Sequence, residues 1–257
     1  MCWCSFSFST LTLQERSDNN DGPFPAETIE CVIEKVATAL DYLHNEKQIM
    51  HGDLKSGNVL IAGDFDNVKL CDFGVTLPLN SEGRVSDPDR KYVGTEAWCP
   101  MEVVKDRGLV TSKADIFAFG LTVFEMLALH SPHVDKLCCD DDSEDDDNDE
   151  SIDEEAFRAA LGTRPSLPDS YEYDQSYRAV LEIFFAATEQ DPEKRPSAKE
   201  ILQMLSNSES RDENDDSIMC VNIIKNSDAV LGSSADQSSV ICIDDSLAEE
   251  SLTPSAS

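Results

Sequence analysis

Three oxygen-bearing side chains stand at spacings suited to handling a phosphoryl group: Asp53, Asn58 five residues on, and Asp72 fourteen beyond that. Moving such a group to a hydroxyl needs a carboxylate to accept the hydroxyl proton, and oxygen ligands for a metal ion on the phosphates. Asp53 suits the first task. Asn58, a neutral amide, and Asp72, a second carboxylate, suit the other, because Mg2+ is a hard cation that takes oxygen ligands. Asp53 and Asn58 lie in His51-Gly52-Asp53-Leu54-Lys55-Ser56-Gly57-Asn58, and Asp72 opens Asp72-Phe73-Gly74.

Elements that hold these residues still can be read around them. Ile29, Val32, Ile33, Val36, Leu40 and Leu43 recur at helical spacing, predicting a helix from Pro25 to about Asn45 that leads straight into His51. Val59-Leu60-Ile61 and Val68-Lys69-Leu70 read as two short strands about a turn at Gly63-Asp64, which puts Asn58 and Asp72 at strand ends. Upstream, Leu11 to Arg16 is expected to form one or two helical turns before a loop over 17–23. Gly74 to Glu102 holds turn residues and few periodic apolar ones. Lys113 to Leu127 is apolar nearly all round, so that helix must be buried on every side, with Asp115 in its first turn. A short helix from Glu154 to Leu161 ending at Gly162, an apolar helix from Ser176 to Thr188, and a helix from the capping box Ser197-Ala198-Lys199-Glu200 to about Leu205 complete the expected core.

Composition narrows the function classes. The 257 residues carry a net charge of -32, and 40% of them are hydrophobic. That is enough for one sizeable core with tails. Twelve of the acids crowd between Asp140 and Glu155 with no base among them, and 207–257 holds eleven acids against two bases. Runs of this kind are expected to be disordered. No basic footprint is visible, so nucleic-acid binding is not expected. The opening Met1-Cys2-Trp3-Cys4-Ser5-Phe6 has no basic n-region and is broken by hydroxyl residues, so neither a signal peptide nor a membrane span is expected. Nine cysteines without framework spacing fit reduced thiols, hence a cytoplasmic or nuclear setting.

The frame H-x-D-x-x-x-x-N at His51 to Asn58, Asp72-Phe73-Gly74, and Cys99-Pro100-Met101-Glu102 in the place of A-P-E together resemble the protein kinases. Gly94-Thr95-Glu96-Ala97-Trp98, Ala114-Asp115-Ile116-Phe117-Ala118-Phe119-Gly120-Leu121, Ser131-Pro132-His133 and Leu161-Gly162-Thr163-Arg164-Pro165 narrow the likeness to MAP-kinase-kinase-like serine/threonine kinases, a group linked to mitosis and proliferation. The resemblance covers about 11–206. It implies a mainly α (α+β) fold, the kinase C-terminal lobe with a short β-hairpin region. It also implies ATP and Mg2+ as cofactors and a protein substrate. In the implied roles Asp53 takes the hydroxyl proton, Lys55 contacts the γ-phosphate, and Thr95 hydrogen-bonds near both. Asn58 and Asp72 hold the metal, Asp115 accepts backbone hydrogen bonds from the catalytic loop, and Glu102 pairs with Arg195. On this reading 1–10 is outside the family, 138–153 is an acidic insertion and 207–257 a tail.

Three departures stand out. No glycine-rich phosphate loop, no strand lysine and no helix with its paired glutamate precede the matching part, so the N-terminal lobe is expected to be absent. Two function classes therefore stay open: an active serine/threonine kinase seen in part, or a C-lobe acting as a non-catalytic binding module. The last residues, Thr253-Pro254-Ser255-Ala256-Ser257, lack the apolar final side chain a PDZ ligand needs, so a PDZ partner is not expected. Gly52 stands where kinases usually carry a phosphate-clamping Arg. A phosphate on Thr76, Ser81, Ser86 or Thr95 would lack that clamp, leaving Arg84, Arg90 and Lys91 as substitutes. In the tail, Val240-Ile241-Cys242-Ile243 followed by Asp244-Asp245 resembles a ligand for small ubiquitin-like modifier, beside the plainer reading of a chance apolar cluster.

Overall fold

The computed structural model describes residues 10–87, 89–105, 110–136 and 153–209. The acidic insertion up to 152, the tail beyond 209 with its 240–245 stretch, and residues 1–9 lie outside the described residues.

The chain enters as strand β1 (Thr10–Thr12) and turns into α1 (Leu13–Ser17). The one-turn helix was legible; the strand before it was not. β1 exists because β3 (Val59–Ala62) offers an edge, pairing antiparallel with Thr10 opposite Ala62 and Thr12 opposite Leu60. Three residues without alternation carry no strand pattern of their own. A capping box closes the start of α1: Thr12 Oγ1 accepts from Glu15 N–H, and Glu15 accepts from Thr12 N–H at 2.7 Å. β3 continues through a turn into β4 (Asn67–Leu70), giving a small sheet in the order β1-β3-β4. Gly63 at φ 72° allows that turn.

Helix α2 (Ala26–Asp41) buries Ile29, Val32, Ile33, Val36 and Leu40, the stripe expected of it. Its continuation differs from a plain α-helix to Asn45. Tyr42–Glu46 widens by one residue per turn, with Lys47 N–H reaching Tyr42 O at 3.0 Å. Side-chain periodicity does not register so small a change of pitch. The wide turn ends at Glu46, and β2 (Ile49–Met50) then delivers the chain to His51.

Helix α4 (Lys113–Ala128) is the centre of the molecule: every residue from Ala114 to Ala128 is buried. Its apolar members meet α2, α6 (Arg178–Ala187) and α1, each fully buried Leu, Ile or Phe contributing about 1.5–3 kcal/mol. Gly120 lets α6 come close, since a Cβ there would lie 2.6 Å from Thr188 Cγ2 and 3.0 Å from Ala187 Cβ. α5 (Glu154–Ala160) ends before Gly162, whose φ of 77° and 2.8 Å approach to Met101 Cα exclude a side chain. α7 (Ala198–Glu209) opens with the expected Ser197–Glu200 box and runs a turn past Leu205 onto α2.

The stretch from Gly74 to Glu102 holds more order than its composition suggests. Strand β5 (Leu77–Pro78) pairs antiparallel with β2, Met50 opposite Leu77. Met50, Leu77, Leu79 and Ala114 form a second apolar cluster, with Val85, Tyr92, Val103 and Val110 against it. A short helix, α3 (Met101–Val104), follows. Among the described residues, no helix is long and apolar enough to cross a membrane.

Candidate active site

The loop between β2 and β3 is fixed from beneath by α4. Asp115, fully buried in the first turn of that helix, accepts His51 N–H at 2.7 Å and Gly52 N–H at 2.9 Å. His44, from the wide turn after α2, lies 2.8 Å from the same carboxylate. Burial opposes ionisation of Asp115, yet His44, His51 and the Gly52 amide together hold its carboxyl below the usual range. One buried charge thus holds two consecutive backbone amides, fixing where Asp53 begins.

Asp53 is half-buried and multiply bonded. Its Oδ1 accepts Thr95 N–H at 2.8 Å and the Thr95 hydroxyl at 2.6 Å. Its Oδ2 lies 2.9 Å from Lys55 Nζ and accepts Asn58 Nδ2–H at 3.1 Å. Lys55 also donates to Thr95 Oγ1 at 2.7 Å, so the hydroxyl gives its one proton to Asp53 and receives one from Lys55. Burial pulls the Asp53 pKa up, but the Thr95 hydroxyl, Lys55 and the Thr95 amide outweigh it and hold the carboxyl below its ordinary value. Asp53 is therefore ionised at neutral pH.

Asn58 donates a second time from Nδ2, to the Asp53 carbonyl at 2.7 Å. With the amide nitrogen turned to Asp53, Oδ1 is the end left for a cation. Asp72 follows β4 in the left-handed region at φ 59°, where Asp is tolerated, and Oδ1 accepts Gly74 N–H at 3.2 Å. The Phe73 ring lies 5.0 Å from that of His51, tilted by 57°, and His51 Nε2 meets Cys71 O at 2.9 Å, joining the two loops.

The peptide side of the site is tied to the same helix. Glu125 of α4 accepts Ser56 N–H at 3.1 Å and the Ser56 hydroxyl at 2.5 Å, and the Trp98 indole donates to it at 2.9 Å. Burial pushes the Glu125 pKa up to about 7 against the hydrogen bonds from Ser56 and Trp98 that lower it. The sequence reading passed over Glu125, although an acid inside a helix apolar on all sides must be buried and partnered. Glu102 and Arg195 form a two-pronged pair at 2.6 and 2.9 Å, with Arg195 wholly buried and also donating to three carbonyls, among them Glu189 O at 2.6 Å. This anchors α3 to the start of α4 and α7.

Gly52 is explained by the backbone. Its φ is 82°, and a Cβ would sit 2.8 Å from Val75 O. No L-residue fits there without moving that carbonyl, so the missing Arg belongs to the loop's geometry.

A buried acid thus steadies a loop that carries Asp53, Lys55 and Asn58, facing an Asp72-Phe73-Gly74 turn and a Thr95 clasp, in a mainly helical domain. Residues 8–205 match the protein kinase domain model, and the chain belongs to that family. Lymphokine-activated killer T-cell-originated protein kinase of Homo sapiens is 50% identical over 193 residues, covering 75% of this chain and 60% of that protein. Serine/threonine-protein kinase KIC1 of Saccharomyces cerevisiae is 30% identical over 189 residues, and MAP3K epsilon protein kinase 1 of Arabidopsis thaliana 32% over 184. These matches cover 73% and 72% of this chain but 15% and 12% of those proteins, so the chain spans less than two thirds of each of the three.

Proposed function

We propose that the described residues are the C-terminal lobe of a serine/threonine protein kinase, which transfers the γ-phosphoryl of ATP to a hydroxyl of a protein substrate. The observation that carries this is the Asp53 carboxylate, held ionised by Thr95 and Lys55 and joined to Asn58. A strong base is not required. The transition state of phosphoryl transfer is loose, so orienting the incoming hydroxyl and balancing charge matter more than basicity. Asp53 orients the hydroxyl and accepts its proton. Lys55 sits beside Asp53 with its ammonium available to a phosphate oxygen, and Thr95 keeps both in register.

The donor set fits Mg2+. Asn58 and Asp72 supply oxygens and no sulfur or imidazole, and Mg2+ in such sites takes one or two protein ligands with phosphates and water completing its shell. Bound there, Mg2+ would neutralise charge on the phosphates. The fold holds the nucleotide from one side, and we infer that a glycine-rich loop and a strand lysine of a second lobe cover the other in the active protein. A reducing setting in cytoplasm or nucleus belongs to the same reading, and Cys31, Cys71 and Cys99 are in no disulfide. The test of the metal assignment uses the two-lobed protein. Asp72→Ala should raise the Mg2+ concentration needed for half-maximal activity by about tenfold or more, in line with the loss of a direct charged ligand. An unchanged Mg2+ requirement would refute it.

A further inference from the structure

We propose that Tyr92 is the positioning residue that seats the segment between Asp72 and Glu102 on the catalytic loop, so that this segment takes its working shape without a phosphate. The proposal rests on the kinase reading and concerns how that site is held.

Three close approaches link Val75, Gly52, Gly94 and Tyr92 in a row. Val75 O fills the space a side chain would need, as described above. The Gly52 carbonyl in turn faces Gly94, where a Cβ would lie 2.6 Å from Gly52 O and 2.5 Å from Tyr92 Cε1. The Tyr92 ring thus lies against Gly94 on the side where Gly94 touches the loop. Gly94 precedes Thr95, whose amide and hydroxyl hold Asp53. A shift of the ring therefore reaches the Asp53 carboxylate through one residue.

The other side of Tyr92 is anchored by apolar contact. It packs on the cluster of Met50, Leu77, Leu79 and Ala114, which joins β2, β5 and the start of α4. Those are the elements that carry His51 and Asp115. Burial, with Cys99, Asp115, Asp53 and Glu102 nearby, holds the phenol well above its ordinary pKa, so the ring stays neutral beside the site.

The rest of the segment is closed by bonds among unmodified groups. Leu79 N–H donates to Gln48 O at 2.7 Å, Val85 N–H to Val110 O at 3.0 Å, and Ser112 N–H to Gly83 O at 2.8 Å. Of Arg84, Arg90 and Lys91, two lie near acids in solvent-exposed pairs, Arg84 at 3.5 Å from Glu82 and Arg90 at 3.6 Å from Asp87, and such pairs hold a side chain only weakly. Gly52 offers no side chain at all. Val75 O occupies the place of a Gly52 side chain, and the Tyr92 ring, one contact further on at Gly94, closes the segment onto the loop without charge.

The test has two arms. In the two-lobed protein, treated with phosphatase and carrying Thr76→Ala, Ser81→Ala and Ser86→Ala, kcat should stay within about twofold of the phosphorylated parent. Tyr92→Ala should lower kcat about a hundredfold, the usual cost of a displacement of about 1 Å at a positioned reaction, with KM for ATP unchanged. Tyr92→Phe should restore it. Loss of activity in the triple variant, or parental kcat in Tyr92→Ala, overturns the proposal. The second arm needs neither a variant nor turnover. Amide exchange on the unphosphorylated 257-residue chain should show protection at Leu79, Val85 and Thr95, and free exchange at these three amides overturns the proposal as well. Protection there, in a two-lobed protein inactive in every form, would instead count against the kinase reading.

Discussion

Asp53 touches Thr95, Lys55 and Asn58 at once, so its chemistry is set by partners from two separate loops. Asp53, Lys55 and Asn58 lie within six residues, in a motif that could be read from the sequence. Thr95, forty-two residues from Asp53, is brought onto it by hydrogen bonds. What spacing could not show is the layer beneath, because Ser56, Trp98 and Glu125 meet only in three dimensions. Glu125 gives a prediction with a definite sign. Its folded pKa, about 7, is raised above the ordinary value of 4.5, so the folded protein binds that proton more tightly than the unfolded chain. The stability this contributes is present below about pH 4.5 and is lost as pH rises through about 7. Glu125→Gln removes the dependence. The melting temperature of the variant relative to the parent should therefore rise between pH 5 and pH 8. A constant or falling difference would mean that the carboxyl is already ionised at the lower pH.

At the scale of elements, α4 determines the site by holding its parts from below: Asp115 takes the loop before Asp53, and Glu125 takes Ser56 and Trp98. The all-round apolar pattern of 113–127 announced a buried helix correctly, since no amphipathic arrangement explains it. β1 and the wide turn over Tyr42–Glu46 were not legible, the first because its pairing partner lies some fifty residues away, the second because one extra residue in a turn leaves the apolar stripe intact. The α4–α6 contact is tight enough to test directly. Gly120→Val inserts three carbons where a single Cβ already meets Thr188 and Ala187 inside 3.1 Å. Overpacking of this kind costs about 1–3 kcal/mol, and chemical denaturation should show a lowered midpoint at unchanged slope. An unchanged midpoint would mean that α6 yields freely and does not brace the site.

Across the whole molecule, most of the -32 charge lies in two runs, 140–155 and 207–257, and the rest of the chain is only mildly acidic. For activity the proposed second lobe, with its glycine-rich loop and strand lysine, matters more than charge. The chain made alone should show no Asp53-dependent phosphate incorporation, because transfer of this kind depends on positioning and one-sided cover does not position the phosphates. A ligand at a hundred times its Kd stabilises a folded protein by about 2.7 kcal/mol, so the absence of a thermal shift with Mg2+-ATP is measurable. Asp53-dependent transfer by the chain alone would show that this lobe is sufficient. The most direct measurement compares Asp53→Asn with the parent in the two-lobed protein, following phosphate transfer to a protein substrate at saturating Mg2+-ATP. In the proposed role Asp53 orients the hydroxyl and does not hold the nucleotide, so turnover should fall by roughly a thousandfold, in the range of lost general-base and orienting roles, while ATP affinity stays the same. Turnover near that of the parent would contradict the assignment of Asp53, and with it the account of the site.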